Sequence, residues 1–177
     1  MPTAVERPAT LADVPALSAL AKRTFVSTFV EELGVPYPEA DLQIHLEKSY
    51  GHEATRRLVQ DPALRFHVAA LEDGSLAGYV LAGSCQLPHA EARATHGELR
   101  RLYVAHEHHG KGYGGILLRS ALGWLAEHFE GPLWIGVWSG NFKAQAIYRR
   151  LGFEKVGEYD YPVGAWVDRE HILRRPA

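Results

Sequence analysis

Thiols are nearly absent: Cys85 is the only cysteine in 177 residues, which excludes a disulfide framework within the chain. Long apolar runs are missing too, none reaching the ~20 residues that a membrane span needs, and the opening MPTAVERPAT has no apolar core of the secretory kind. Neither charge dominates: 19 Lys and Arg stand against 21 Asp and Glu, a net charge of −2 with the signs mixed. That balance leaves no basic footprint for nucleic acid. No repeat or low-complexity tract divides the chain, whose length suits one domain, residues 1–177, with a proper core. These absences lead to the expectation of a cytoplasmic protein with no membrane or nucleic-acid partner.

Two site signatures are also missing. There is no His-Glu-x-x-His and no complementary Cys/His pattern, so His106, His108 and His109 read as exposed or phosphate-facing rather than as metal ligands, and no metal is expected. Gly-Lys-Ser/Thr does not occur, because Tyr113 follows Gly112, and an ATP-type P-loop is excluded. Cys85 reads as a small buried thiol, since nothing beside it in sequence suggests activation.

Glycine, by contrast, is concentrated where chemistry can use it. Gly110, Gly112, Gly114 and Gly115 lie between a strand-like run, Glu98–Val104, and an apolar helical run ending near Phe129. Without a Cβ the loop takes left-handed conformations and presses its N–H groups against an anion. The following helix start adds unsatisfied donors and positive dipole, and Lys111, His108 and His109 stand beside it. The pattern predicts a pyrophosphate site. Gly110, Gly112 and Gly115 also match the dinucleotide pattern, with Glu130 about twenty residues on, but Ala105–His109 separate the strand from the first glycine, whereas the dinucleotide turn follows its strand at once.

Leu99 and Leu102 share a face of the preceding strand only if an extra residue is inserted near Arg100 or Arg101, the mark of a β-bulge. A strand buried on both faces is the other reading. Around this centre the pattern predicts a first strand at Thr3–Arg7, a helix from Thr10 through Phe25 and Phe29 towards Gly34, a helix carrying Leu42, His45, Leu46 and Ser49, and a polar helix over Glu53–Gln60. Strands at 65–71 and 76–82 flank Asp73-Gly74, a hairpin signal. A long mobile or substrate-lining loop spans Gln86–His96. A buried strand at Leu133–Trp138 follows the glycine helix, implying a parallel right-handed crossover. Asn141–Phe153 is a capped helix ended by Gly152, and two strands close the chain around Pro162–Ala165.

LRRLYVAHEHHGKGYGGILL resembles motif A of the GNAT superfamily of N-acetyltransferases, whose fingerprint Arg/Gln-x-x-Gly-x-Gly/Ala falls on His109, Gly110, Lys111, Gly112, Tyr113 and Gly114. His109 departs from it. Asn141, Ala144, Tyr148, Gly152 and Phe153 resemble motif B. Phe25, Phe29, Tyr50, Gly136–Trp138 and the VGEYDYPVG ending are more loosely similar to bacterial spermidine/spermine N-acetyltransferases, although kinship of fold does not fix substrate. The resemblance implies an α/β fold with a central mixed, mostly antiparallel sheet, a splayed parallel strand pair at its centre, and flanking helices. It also implies acetyl-CoA as cosubstrate and, as is common among such proteins, a homodimer.

Acetyl transfer requires the donor gripped, the amine neutral, the carbonyl polarised and the thiolate protonated. The resemblance assigns the pyrophosphate to His109, Gly110, Lys111, Gly112, Tyr113, Gly114 and Gly115. It places the pantetheine arm along Leu102, Tyr103 and Val104, with further cofactor contacts from Asn141 and Tyr148. Tyr148 is the candidate general acid, against a core tyrosine completing an apolar helix face. Glu98 is the candidate general base, direct or through water, against a solvated strand-end charge. Glu31, Glu32, Glu39, Asp41 and Glu47 would draw a cationic amine, or else form ordinary polar helix faces. The acceptor is expected to be a primary amine of a small molecule, a polyamine included. A peptide or protein amine is the alternative acceptor, and a non-catalytic acyl-CoA sensor the alternative class.

Overall fold

The computed structural model describes residues 3–177. Seven strands form one sheet in the order β1-β2-β3-β4-β5-β7-β6: β1 Val5–Pro8, β2 Arg65–Ala70, β3 Leu76–Ser84, β4 Gly97–Val104, β5 Leu133–Trp138, β6 Glu154–Val163 and β7 Trp166–Arg175. Every pairing is antiparallel except β4 with β5. The helices are α1 Val14–Phe25, α2 Glu39–Tyr50, α3 His52–Gln60, α4 Tyr113–His128 and α5 Phe142–Arg150. No described helix is long and apolar enough to cross a membrane.

The alternation of strand side chains sorts the core into two layers. Val80 and Ala82 of β3 pack with Leu117, Ala121 and Leu125 of α4, while Tyr79 and Leu81 between them pack with Leu17 and Phe25 of α1 and Leu46 of α2. β3 is therefore buried on both faces along nearly its whole length. The predicted turn at Asp73-Gly74 forms as expected: Gly74 takes φ 83°, and Asp73 Oδ1 accepts the Ser75 N–H at 2.9 Å.

β4 contains the bulge. Leu81 lies opposite Arg101 while the next residue, Ala82, lies opposite Leu99, so Arg100 is the surplus residue. The insertion lets Leu99, Leu102 and Val104 all face the α4 layer and turns Tyr103 to the α1–α2 layer. Both sequence readings of this strand hold, because it is bulged and also covered on two faces.

One expectation gains a detail and one is corrected. The first helix continues past Phe25 as a π-helix over Val26–Glu32, its wider winding marked by Leu33 N–H donating to Thr28 O at 3.0 Å. The Phe25 and Phe29 rings meet tilted, their centroids 4.7 Å apart. The loop between β3 and β4 is packed down rather than substrate-lining: Leu87 and Cys85 are buried against Trp134 and Ile172, and His89 lies 5.2 Å from the Trp134 ring.

Gly78 fixes how closely β3 approaches the bulged strand, for a Cβ there would sit 2.7 Å from the Tyr103 carbonyl oxygen and 3.2 Å from Val104 Cα. Gly78→Ala is expected to lower stability by about 1–3 kcal/mol, the usual cost of overpacking, as read by denaturant unfolding. It should also raise KM for the molecule held along β4.

Candidate active site

The parallel pairing of β4 with β5 covers only Gly97↔Leu133, Glu98↔Trp134 and Leu99↔Ile135. Beyond it the strands part: β5 keeps β7 as its partner on the other side, and the β5-facing edge of β4 from Arg100 onward has no strand beside it. Two cavities open at this split.

The first, about 580 Å³, is lined by Leu102, Tyr103 and Val104 of β4, by His108, His109, Gly110, Gly112, Tyr113, Gly114 and Gly115, and by Asn141, Lys143 and Tyr148. Gly110 and Gly112 take φ 76° and 85°, and a Cβ on either would project into open space. The constraint there is backbone conformation rather than crowding. Gly112 caps α4, so the first-turn donors of Gly114 and Gly115 face the cavity where an anion would lie. His109 turns back on the strand, its Nε2–H donating to Val104 O at 2.8 Å, which ties the loop to β4. Lys111 donates to His108 Nδ1 at 3.1 Å and lies outside the lining, whereas Lys143 lies within it. Thr28, Glu32 and Leu33 of the π-helix close the far side.

The second cavity, about 210 Å³, lies on the α1–α2 side of the split. Its walls are aromatic, including Phe25, Phe29, Tyr50, Trp138 and Tyr161, and Arg101 enters with its guanidinium 4.4 Å over the Tyr50 ring. Asp168 and Glu170 of β7 line it as well. Burial, reinforced by the charge of Asp168, pushes the Glu170 carboxyl up to about 7. Leu102, Tyr103, Asn141, Ala144 and Tyr148 line both cavities and are the wall between them.

Tyr148 projects from α5 into that wall and packs edge-on to Phe153 at 6.2 Å. Burial pushes its phenol up to about 12, so it stays protonated at neutral pH. Asn141 caps α5 through the Ala144 N–H at 3.1 Å while facing both cavities. Glu98 is 7% exposed and lines neither cavity. Its carboxylate accepts the Gln86 N–H at 2.7 Å under the β3–β4 loop, and burial raises its pKa. The helical acids do not supply the charge of the second cavity: exposed Glu47 pairs with Lys22, Asp41 accepts the Ala165 N–H, and Glu32 lines the first cavity. Asp168 and Glu170 take that place, foreshadowed only by their spacing of two on a strand. Burial pushes the Cys85 thiol up to about 11, as befits an inert buried thiol. Among the described residues no three His, Cys, Asp or Glu side chains are grouped to hold a metal ion.

A glycine cradle suited to phosphate at a strand split, joined through one wall to a second, charged cavity, is an arrangement that a group transferase using a phosphate-bearing carrier would need. The Acetyltransferase (GNAT) family pattern matches residues 25–153, and the chain belongs to that family of acetyl-CoA-dependent N-acetyltransferases. An uncharacterized N-acetyltransferase of Lactobacillus delbrueckii subsp. lactis is 25% identical over 92% of this chain and 91% of its own. Streptothricin acetyltransferase of Streptomyces lavendulae is 35% identical over 55% of this chain and 49% of its own. In fold, the chain is similar to the PaiA N-acetyltransferase of Thermoplasma acidophilum solved with coenzyme A, with a TM-score of 0.74, 19% identity and 99% of each chain covered. These matches carry the superfamily and not the polyamine subgroup.

Glu170 makes stability depend on pH. Its folded pKa, about 7, lies above the ordinary 4.5, so between those values the folded chain holds a proton that the unfolded chain has released. Stability therefore falls as pH rises through that window, by up to about 3 kcal/mol. Glu170→Gln is expected to flatten this fall, measured as denaturation midpoints at acidic and mildly alkaline pH.

Proposed function

We propose that this acetyltransferase moves the acetyl group of acetyl-CoA to a primary amine of a small cationic molecule, by direct attack on the thioester. The observation that carries this reading is the shared wall: the glycine-cradled cavity and the carboxylate-bearing one meet at Tyr148. The first cavity fits the donor. Backbone N–H groups of the glycine loop hold the pyrophosphate, Lys143 adds a cation at the mouth, and the unpaired edge of β4 from Leu102 to Val104 runs beside the pantetheine arm. An N–H near the Arg100 bulge polarises the thioester carbonyl, and such preorganised donors are worth about a hundred- to thousand-fold in rate.

Acetyl-CoA supplies an activated acyl group, and the chain's residues manage the protons. Tyr148 stays protonated until the sulfur departs, then gives its phenolic proton to the thiolate. Glu98, behind the second cavity, acts on the acceptor only through water or neighbouring groups, because it lines no part of that cavity. The small aromatic enclosure favours a small molecule over a peptide laid along the surface. The relative named for streptothricin is in keeping with that preference. Polyamines belong to the proposed class. A sensor without turnover has less support, since it would have no use for a phenol set between the cavities.

Purified protein is expected to release thiol from acetyl-CoA when given one class of amine in a panel of polyamines, simple amines, amino acids and peptides. Stimulation by peptides alone would overturn the small-molecule reading, and acetyl-CoA binding with no stimulated release would favour the sensor. Tyr148→Phe should lower kcat by about a hundredfold or more, the usual scale of general acid catalysis, with KM for acetyl-CoA little changed. A small loss would remove the acid assignment.

A further inference from the structure

The second cavity holds more buried polarity than donor binding and thiolate protonation use. Asp168 and Glu170 project from one face of β7 into it. Asp168 is closed, with Tyr37 Oη donating to one oxygen at 2.5 Å and Trp166 Nε1 to the other at 2.9 Å. Glu170 is open: burial and the charge of Asp168 act on it, and among the described residues no hydrogen bond does. The ion pairs of β6 and β7 go elsewhere, to Glu158, Asp160 and Glu91. His45 of α2 is 9% exposed and lines the same cavity, yet its Nε2 has no hydrogen-bond partner among the described residues. Asp168 acts on both His45 and Glu170, so an imidazole with an unpaired Nε2 and a carboxylate without a hydrogen-bond partner among the described residues share the surroundings of a carboxylate that neutral donors have closed. A buried arrangement of this kind is costly until a cation with several N–H donors completes it.

We propose that Glu170 binds the acceptor as its ammonium ion and receives its proton, with Asp168 and His45 as the neighbours that make the pocket select compact cationic amines. This rests on the acetyltransferase reading above and assigns the proton acceptor to β7 rather than to Glu98. In the step, one N–H proton passes to a Glu170 carboxylate oxygen and leaves a neutral amine. The amine nitrogen bonds to the thioester carbon, the C–S bond breaks, and the sulfur leaves with its electron pair and takes the Tyr148 proton. The new amide sheds its surplus proton to restore that phenol, and Glu170 returns its own to water.

The other titratable groups facing Glu170 leave it as the one that switches near neutral pH. Tyr37, Tyr50, Tyr159 and Tyr161 are phenols that burial holds protonated, as it does Tyr148 and Tyr103 on the dividing wall. Burial, with Arg101 nearby, keeps His45 neutral. Of the β4 guanidiniums, Arg101 is engaged by the Tyr50 ring and Ser49 O, and Arg100 by Ser84 O.

The test compares wild type, Glu170→Gln and Glu98→Gln as the full chain. Calorimetry with acetyl-CoA reads the donor site alone. Calorimetry with putrescine and butylamine on CoA-saturated protein reads the acceptor site without turnover, and thiol release against pH reads the chemistry. Glu170→Gln is expected to leave acetyl-CoA affinity and the circular dichroism spectrum where they were. It should weaken amine binding about tenfold or more, lower kcat/KM about a hundredfold or more, and abolish the rise of kcat/KM through neutral pH. A Glu170→Gln enzyme that keeps that rise and its amine affinity overturns the proposal while leaving the transferase reading intact, as does loss of the rise in Glu98→Gln alone. A wild type that binds acetyl-CoA but neither binds nor acetylates any amine overturns both.

Discussion

The short parallel pairing between β4 and β5 is the constraint on which the molecule depends. Three residue pairs hold the strands together and then the ladder stops, leaving one edge of β4 without the partner a strand ordinarily has. The opening at the centre of the sheet leaves a cavity on each side of it. The glycine loop and α4 close one side, and the aromatic helical block closes the other. The surplus residue at Arg100 lets one strand serve both, sending Leu102 and Val104 to the α4 layer and Tyr103 to the aromatic one.

The two sides are electrostatically unlike. The donor side relies on backbone N–H groups and a helix end, which carry partial charge without the desolvation cost of an ion. The aromatic side buries Glu170 among phenols, where burial and the charge of Asp168 make its ionisation unfavourable. Folding therefore stores a penalty in the second cavity, a common relation between stability and function. Tyr148 stands on the boundary, lines both cavities and belongs to neither charge pattern.

Much of this was legible in sequence because it is written in local rules. Glycines at fixed spacing after a strand, Asn141 three residues before Ala144, Asp-Gly between apolar runs and a change of apolar phase at Arg100 each state a backbone geometry directly. What escaped depends on contacts distant in sequence. The π-helix at Val26–Glu32 has no composition of its own and is fixed by the seating of Phe29 between Tyr103 and Trp138. Glu170 looks like an ordinary strand charge until β5 and β6 flank it and the helical block covers it. The burial of Glu98 also escaped, because its position on the central strand says nothing of the β3–β4 loop that lies over it. The acids of α2 drew attention by their number, yet helix surfaces are where such residues usually sit.

The bulge at Arg100 makes the division of labour along β4 a matter of parity. Side chains of a strand alternate, so whichever residues follow the surplus one are assigned to a side by counting odd and even from it. Removing that residue would leave every amino acid of the strand's second half in place in the list and on the wrong side in space: the aromatic ring of Tyr103 would move to the donor layer, and the aliphatic chains of Leu102 and Val104 to the acceptor one. The distinction between the two layers is thus kept by a single extra peptide unit, and a length change there would be felt more than most replacements of the side chains themselves.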